Sequence, residues 1–318
     1  MRVLVIGGAG FIGSHLIDEL LTLNNSVVCV DDLSIGKIDN IRHLEGNASF
    51  KFYRQDVTEL NKLAKIYKEE KPEYVFHLAA NSDIQASSMN AAIEFKNTYT
   101  TTFNVLSCMR EFGVKKLFFT STSAVYGDKS DQLLDEDTTK LMPISYYGAA
   151  KLGSEALISA YSYMNDFSAL IFRLPNVVGP RLTHGVLYDF LKKLQKDPKR
   201  IEILGDGKQT KPYIYVSDLV RAIIQFMNIE QKGVDVYNLG GDSCTSVNRI
   251  ADILCEELKL SGVEYIYSGG KSGWKGDVPH FRYCLEKIHG KGWKANFESD
   301  MAVRMTIQSM INKEEEKI

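Results

Sequence analysis

Tyr147-Gly-Ala-Ala-Lys151 sets a phenol and an ammonium four residues apart, which puts both on one face of a helix. A tyrosine of ordinary pKa, about 10, is a poor base at neutral pH. A cation held beside it favours the phenolate and brings its ionisation toward the working range, where it can take the proton from an alcohol. The spacing alone is common, and on many helices such a pair only decorates the surface. Its meaning comes from Ser121-Thr-Ser-Ala-Val-Tyr-Gly127, which follows the apolar run Lys116–Phe119. Hydroxyls at the carboxyl end of such a strand lie where ligands bind in doubly wound folds.

Gly7, Gly10 and Gly13 stand three apart in Gly7-Gly-Ala-Gly-Phe-Ile-Gly13, after the strand-like Val3–Ile6 and before the helical periodicity of Ser14–Leu23. In that frame glycines let the backbone turn tightly, approach a pyrophosphate and seat the helix on the sheet. The helix N-terminus adds N–H donors and a positive dipole. A lone glycine triplet is weak, since glycine turns are common, but here the strand before and the helix after are both present. The next strand ends in Val30-Asp31, roughly 20 residues on, where a carboxylate is placed for the adenosine ribose hydroxyls. Asp31 and Asp32 repel a ribose phosphate and no arginine stands beside them, so NAD is favoured over NADP. The other reading of Asp31 is a strand-end residue that only caps the next turn. Asp56-Val57, ending the third strand, fits a contact with the adenine ring and fits a plain strand-end turn nearly as well. With NAD bound, its nicotinamide ring brings a second positive charge to the Tyr147 phenol.

Elements that would position these groups alternate through the first half. Val3–Ile6, Ser26–Val30, Phe50–Tyr53, Tyr74–Leu78, Lys116–Ser121 and Ala169–Arg173 read as strands, with helical patterns at Phe11–Leu23, Leu60–Glu69, Ala91–Phe112 and Tyr147–Met164. Near-continuous apolar strands between helices imply an α/β fold with a doubly wound parallel sheet, the Rossmann arrangement. Ile214–Val216 and Val236–Leu239 read as later returns to the same sheet. After Pro175 the regularity weakens, and Arg181–Gly185, Gly205–Lys211 and Gly269–Pro279 read as loops over a cleft. The expected division is a dinucleotide-binding domain of residues 1–175 plus 213–240, and a smaller, discontinuous substrate-binding lobe of residues 176–212 plus 241–318.

These motifs, in this order, resemble the extended short-chain dehydrogenase/reductases of the NAD-dependent nucleotide-sugar epimerase/dehydratase family, in their UDP-glucose 4-epimerase-like branch. The resemblance runs over nearly the whole chain. It takes in the glycine turn, Val75-Phe-His-Leu-Ala-Ala80, the Ser/Thr–Tyr–Lys set and Arg173-Leu-Pro-Asn-Val-Val-Gly-Pro180. It continues through Gly205-Asp-Gly-Lys-Gln209, Tyr215-Val-Ser-Asp218 and Gly276-Asp-Val-Pro279. It implies that Tyr147 is the acid/base on a sugar hydroxyl, that Lys151 holds the nicotinamide ribose and tunes Tyr147, and that Thr122 orients the substrate oxygen. It implies cofactor contacts from Gly7, Gly10, Phe11, Ile12, Gly13, Asp31, Asp56, Val57, Leu78, Ala79 and Ala80. Asn176 resembles a residue that touches the substrate diphosphate, though a loop-forming role also fits. Arg181, Lys211, Phe281 and Arg282 are the further substrate-binding candidates.

The family shares one opening step, loss of hydride from a sugar carbon, usually C4, to NAD⁺ as the tyrosine takes the hydroxyl proton. Family 4,6-dehydratases carry carboxylates just before the strand-end tyrosine, and decarboxylases tend to carry a Glu there; this chain has Ser123 and Ala124. A methyl group cannot transfer a proton, so simple C4 redox remains. The family arginine after the Gly205–Gln209 loop is Lys211 here, and another before Gly276 is Trp274. Lysine keeps the charge but loses the bidentate fork that suits phosphate oxygens. Lys275, Arg282 and Arg181 are the alternatives for restoring that charge, among which spacing does not choose. Phe281 resembles a bulky position near the sugar C2 substituent, which would disfavour N-acetylhexosamines; packing of the C-terminal lobe is an equal reading. The leading expectation is a 4-epimerase working through a 4-keto sugar. The competing ones are a C4 dehydrogenase that releases the ketone with NADH, and a non-catalytic NAD sensor, against which the intact Tyr–Lys pair stands.

Composition narrows the rest. At about 150 residues per domain, 318 residues suggest two domains. The chain is 44% hydrophobic and 25% charged, enough apolar material for a core and too much for a disordered chain. Thirty-eight Lys+Arg against 40 Asp+Glu leave a net charge of −2, no footprint for nucleic acid. No apolar run reaches the roughly 18 residues of a membrane span. Five scattered cysteines without a CxxC read as reduced thiols, and the N-terminus lacks a signal-peptide pattern, so a cytoplasmic protein is expected. The six histidines form no ligand spacing, no metal is expected, and His77 reads as a satisfied core histidine. The resemblance suggests a homodimer built on the helices near Ala91–Phe112 and Tyr147–Met164. Leu157, Ala160, Tyr161 and Met164 recur at helical spacing, which fits such an interface or the domain's own core. The tail from Lys313 to Ile318 reads as a solvated, fraying charge run.

Overall fold

Val3–Ile6 is apolar at every position, and all four side chains are fully buried. A run without polar alternation is stable in a strand covered on both faces. In the computed structural model, which describes residues 1–81, 84–129, 132–230 and 232–315, it forms the middle of a seven-stranded sheet. The strands are β1 (Arg2–Ile6), β2 (Ser26–Asp31), β3 (Phe50–Arg54), β4 (Tyr74–His77), β5 (Lys116–Thr122), β6 (Ser168–Leu174) and β7 (Val234–Asn238). Their order is β7-β6-β5-β4-β1-β2-β3, and β1 pairs in parallel with both β2 and β4. The chain moves one way from β1 to β3 and the other way from β4 onward. The crevice between β1 and β4 is therefore the switch point at which doubly wound sheets bind ligands. Ile6 is level with Val30 on one side and His77 on the other, so Gly7 leaves the sheet into that crevice.

Helices cover the sheet. Helix α1 (Phe11–Thr22) starts directly after Gly10, and α2 (Leu60–Glu70) buries Leu63, Ile66 and Tyr67 against Leu4, Ile6, Val28 and Val30. The expected single helix over Ala91–Phe112 is a short turn, Ala91–Glu94, a π-helical segment, Phe95–Thr100, and then α3 (Thr101–Phe112). Helix α4 (Tyr146–Asn165) is capped by Ser145, whose Oγ accepts the Gly148 N–H at 3.1 Å. It ends where Asp166 turns left-handed, at φ 52°.

The chain divides into two compact units. The first holds Met1–Val125, Ser145–Arg173 and Val220–Tyr237; the second holds Tyr126–Ile144, Leu174–Leu219 and Asn238–Ile318. The second has its own core, in which Phe190, Leu191 and Leu194 of α5 (Val186–Lys196) meet Ile250, Ile253 and Leu254 of α6 (Val247–Glu257) and Val303 and Ile307 of α7 (Ser299–Glu315). Val234–Asn238 returns to the central sheet as expected, but the run near Ile214–Val216 does not. Tyr213–Tyr215 pairs in parallel with Asn176–Val178 in a separate two-stranded sheet, and Tyr213 and Val178 are buried in the second core. Residues 126–144 also group with the second unit, because Leu133–Leu134 pairs with Arg282–Tyr283. Helix α7 takes in the first residues of the charged tail, and 316–318 lie outside the described residues. No helix among the described residues is long and apolar enough to cross a membrane. All five cysteines are free.

Candidate active site

The glycine turn is built from contacts that admit no side chain. Gly7 has φ +80°, and a Cβ there would stand 2.7 Å from the Ala79 nitrogen. A Cβ on Gly13 would run into the Gly7 carbonyl, and one on Gly10 would lie 3.2 Å from it. The N–H groups of Leu78 and Ala79 both donate to the Ile6 carbonyl, at 2.9 and 3.0 Å, which holds Leu78-Ala79-Ala80 beside the turn. Gly10, the N-cap of α1, has no side chain to cap the helix, so Phe11 and Ile12 open it without occupying its end. Asp31 is buried; one oxygen accepts the Ala9 N–H at 3.0 Å and the other the Leu33 N–H at 2.8 Å. Burial pushes its carboxyl above the usual range, against those backbone hydrogen bonds. It does cap the following turn and also takes a hydrogen bond from the Gly10 N–H, which leaves acceptor capacity on the carboxylate for a ribose hydroxyl. The cradle therefore fits a dinucleotide pyrophosphate on Gly7, Gly10 and Gly13 with Asp31 on the ribose. Asp56 accepts the Thr58 N–H and hydroxyl at 2.8 and 2.7 Å in the strand-end turn, both on one oxygen. Val57 packs in the apolar core.

Thr122, Tyr147 and Lys151 come together in the first unit. The Tyr147 phenol is hydrogen-bonded to Thr122, whose Oγ1 also accepts the Ala124 N–H at 3.2 Å. Lys151 is 1% exposed; its Nζ donates to the Thr120 carbonyl at 2.6 Å and lies 5.9 Å from the Tyr147 ring centroid. Burial pushes the ammonium down to about 7, while Glu94 and Glu155 hold it up. The expected acidification of Tyr147 by Lys151 does not occur in these residues alone. Burial and the negative charge of Glu94 push the phenol well above its ordinary value, and only the Thr122 hydrogen bond acts the other way. The ammonium is aimed at a carbonyl, not at the phenol oxygen.

Both carboxylates escaped the sequence reading. Glu155 stands four residues after Lys151, on the face that carries Tyr147, so helical spacing could have found it. It accepts from Ser121 and takes a two-pronged contact from Arg173, at 3.1 and 2.7 Å. Glu94 had no such signal. His77 is half satisfied. Its Nε2 lies 3.0 Å from Thr102 Oγ1, whose proton goes to the Thr98 carbonyl, so Nε2–H is the donor. Its Nδ1 is buried without a partner among the described residues.

In the second unit the Asn176 side chain hydrogen-bonds the Tyr213 phenol, which burial and Asp277 push up. Lys211 is already ion-paired with Asp277, whose other oxygen accepts the Gly273 N–H at 3.2 Å. Phe281 is buried with its ring 5.4 Å from Tyr283, which favours the packing reading. Arg282 is exposed, and Arg181 lies partly buried in a left-handed turn at φ 69°.

Residues 3–240 match the NAD dependent epimerase/dehydratase family. The chain belongs to this family. It is thus an enzyme of the extended short-chain dehydrogenase type, and NAD is the cofactor of the family its glycine cradle represents. It is 31% identical over 315 residues to a putative UDP-glucose 4-epimerase of Methanocaldococcus jannaschii, covering 98% of each chain. It is 30% identical to dTDP-D-glucose 4,6-dehydratase of Mus musculus, covering 96% of this chain and 88% of that one. A crystal structure of UDP-galactose 4-epimerase superposes with a TM-score of 0.87 at 35% identity, covering 98% of this chain and 99% of that one.

Proposed function

We propose that this protein is an NAD-dependent 4-epimerase of a nucleotide-diphosphate hexose, with UDP as the nucleotide. The observation that carries the reading is the hydrogen-bonded Thr122–Tyr147 pair with Lys151 on the same helix face, at the carboxyl end of β5. NAD⁺, which Gly7, Gly10, Gly13 and Asp31 would hold, would supply a reversible hydride acceptor for C4, so that return of hydride to the opposite face of the 4-keto sugar would invert that carbon. Tyr147 accepts the C4 hydroxyl proton and gives it back to the same oxygen, so atoms balance and only the configuration changes. Thr122 holds that oxygen against the phenol. Lys151 contributes charge beside the ring, and the positive charge that Tyr147 still lacks must come with the oxidised cofactor. Water elimination would need a second acid near C5 and C6. Ser123 and Ala124, where the helical turn Ser123–Tyr126 follows β5, supply none. That separates this chain from the dehydratase among its relatives.

Gly7, Gly10, Gly13 and Asp31 are the cofactor-binding residues of this reading, and Asn176, Arg181 and Arg282 its diphosphate contacts. Lys211 joins them with the N–H donors that Asp277 does not take. We also propose a homodimer through α3 and α4, supported by exposed aromatic residues on both, and a cytoplasmic setting, supported by the five free thiols.

Tyr147→Phe tests the assignment. It is expected to keep NAD and to lose at least about 100-fold in the rate at which sugar nucleotide reduces that NAD. A variant within a few-fold of wild type would overturn the assignment of Tyr147.

A further inference from the structure

Lys151 is almost fully buried, and its direct hydrogen-bond acceptor is a neutral carbonyl, that of Thr120. A buried ammonium needs opposite charge nearby to remain an ammonium. Two buried carboxylates act on it, Glu94 and Glu155. Glu155 is neutralised by Arg173, which grips it with two nitrogens. Glu94 is not. Its partners are neutral donors: Asn81 Nδ2 at 2.7 Å on one oxygen and Thr98 Oγ1 at 2.8 Å on the other. Both oxygens accept, as an ionised carboxylate requires.

Its placement comes from the π-helical segment. Glu94 is 1% exposed and immediately precedes Phe95–Thr100, within which Thr98 turns back to it. The same segment lies on α4, where Tyr99 packs so closely on Gly153 that a Cβ there would stand 3.1 Å from the ring. Single π turns inside helices recur at functional sites.

We propose that Glu94 is a positioning residue that supplies Lys151 with its unneutralised counter-charge and sets the charge balance of the Tyr147–Lys151 pair. Among the described residues, the charged and titratable groups facing that pair are Glu94, Glu155 with its Arg173, and the buried His77 on β4, which stays neutral. Glu94 favours the proton on both Lys151 and Tyr147. Removing its charge must therefore move both ionisations toward lower pH. The role rests on the acid–base reading of Tyr147 and Lys151; the charge coupling itself does not.

Carbon-13 NMR of ε-labelled lysines tests the coupling, with the Lys151 signal assigned by its loss in Lys151→Met. Wild type is expected to titrate near 7. Glu94→Gln, which preserves shape and removes the charge while keeping one acceptor oxygen, is expected to titrate about one pH unit lower, and Glu94→Asp to stay near wild type. If Glu94→Gln does not fold, Glu94→Met, which removes the same charge with a side chain of similar length, should shift Lys151 the same way. An unchanged Lys151 titration overturns the proposal. The pH profile of NAD reduction by sugar nucleotide should move in the same acid direction in Glu94→Gln, and a superposable profile contradicts the role. An NMR shift in a protein whose NAD no sugar nucleotide reduces would keep the coupling and remove the epimerase reading instead.

Discussion

His77 and Lys151 are both buried basic groups, but only the lysine is answered by carboxylates. Burial and the Lys151 charge hold the imidazole down, from 6.5 to about 3. The folded protein thus refuses a proton that the unfolded chain accepts. Stability is fully present above pH 6.5 and is lost as pH falls from 6.5 toward 3. Between neutrality and about pH 4.5, wild type should lose roughly 2 kcal/mol more than His77→Gln in urea unfolding. Equal losses would place the acid sensitivity elsewhere. At this scale the catalytic pair was legible, because four-residue spacing on a helix is a property of sequence. Glu94 was not: a π turn departs from the 3.6-residue period by which faces are read, so the residues it turns inward carry no mark.

The elements that aim the site follow local rules. Four fully buried apolar residues make β1, and two glycines that admit no Cβ, with a third where one would be tight, make the turn into α1. Ser145 starts α4 one residue ahead of its first turn, and replacing such a cap by alanine typically costs about 1 kcal/mol. The stripe on α4 divides its work. Leu157 and Tyr161 pack on the core, whereas Met164 is 75% exposed and its neighbour Tyr163 is 87% exposed. Phe103, on the adjoining α3, sits edge-on to Tyr161 and is also exposed. Covered by a second copy, these side chains would bury apolar area that water otherwise faces. Sedimentation should give twice the 35.8 kDa chain mass for wild type, and a monomer for the double variant Tyr163→Glu, Met164→Glu. A monomeric wild type would remove the dimer.

For the whole molecule, the first unit was readable because its strands and helices are long enough to show their periods. The second was not. Thr210–Lys211 and Arg282–Tyr283 are two-residue strands, and Arg282 pairs with Leu133, far away in the chain. Spacing cannot reveal such pairings, which is why the run Ile214–Val216, expected in the central sheet, pairs elsewhere and the Lys211–Asp277 contact carries no mark in the sequence. The reaction is also a property of the whole, since Thr122, Tyr147 and Lys151 serve release of a ketone as well as inversion. The most direct measurement incubates the NAD-loaded protein with UDP-glucose and follows both C4 configuration by NMR and NADH by absorbance. The account predicts accumulation of the C4-inverted sugar nucleotide with no net NADH. A released 4-keto sugar with stoichiometric NADH, or no change at C4, would contradict it.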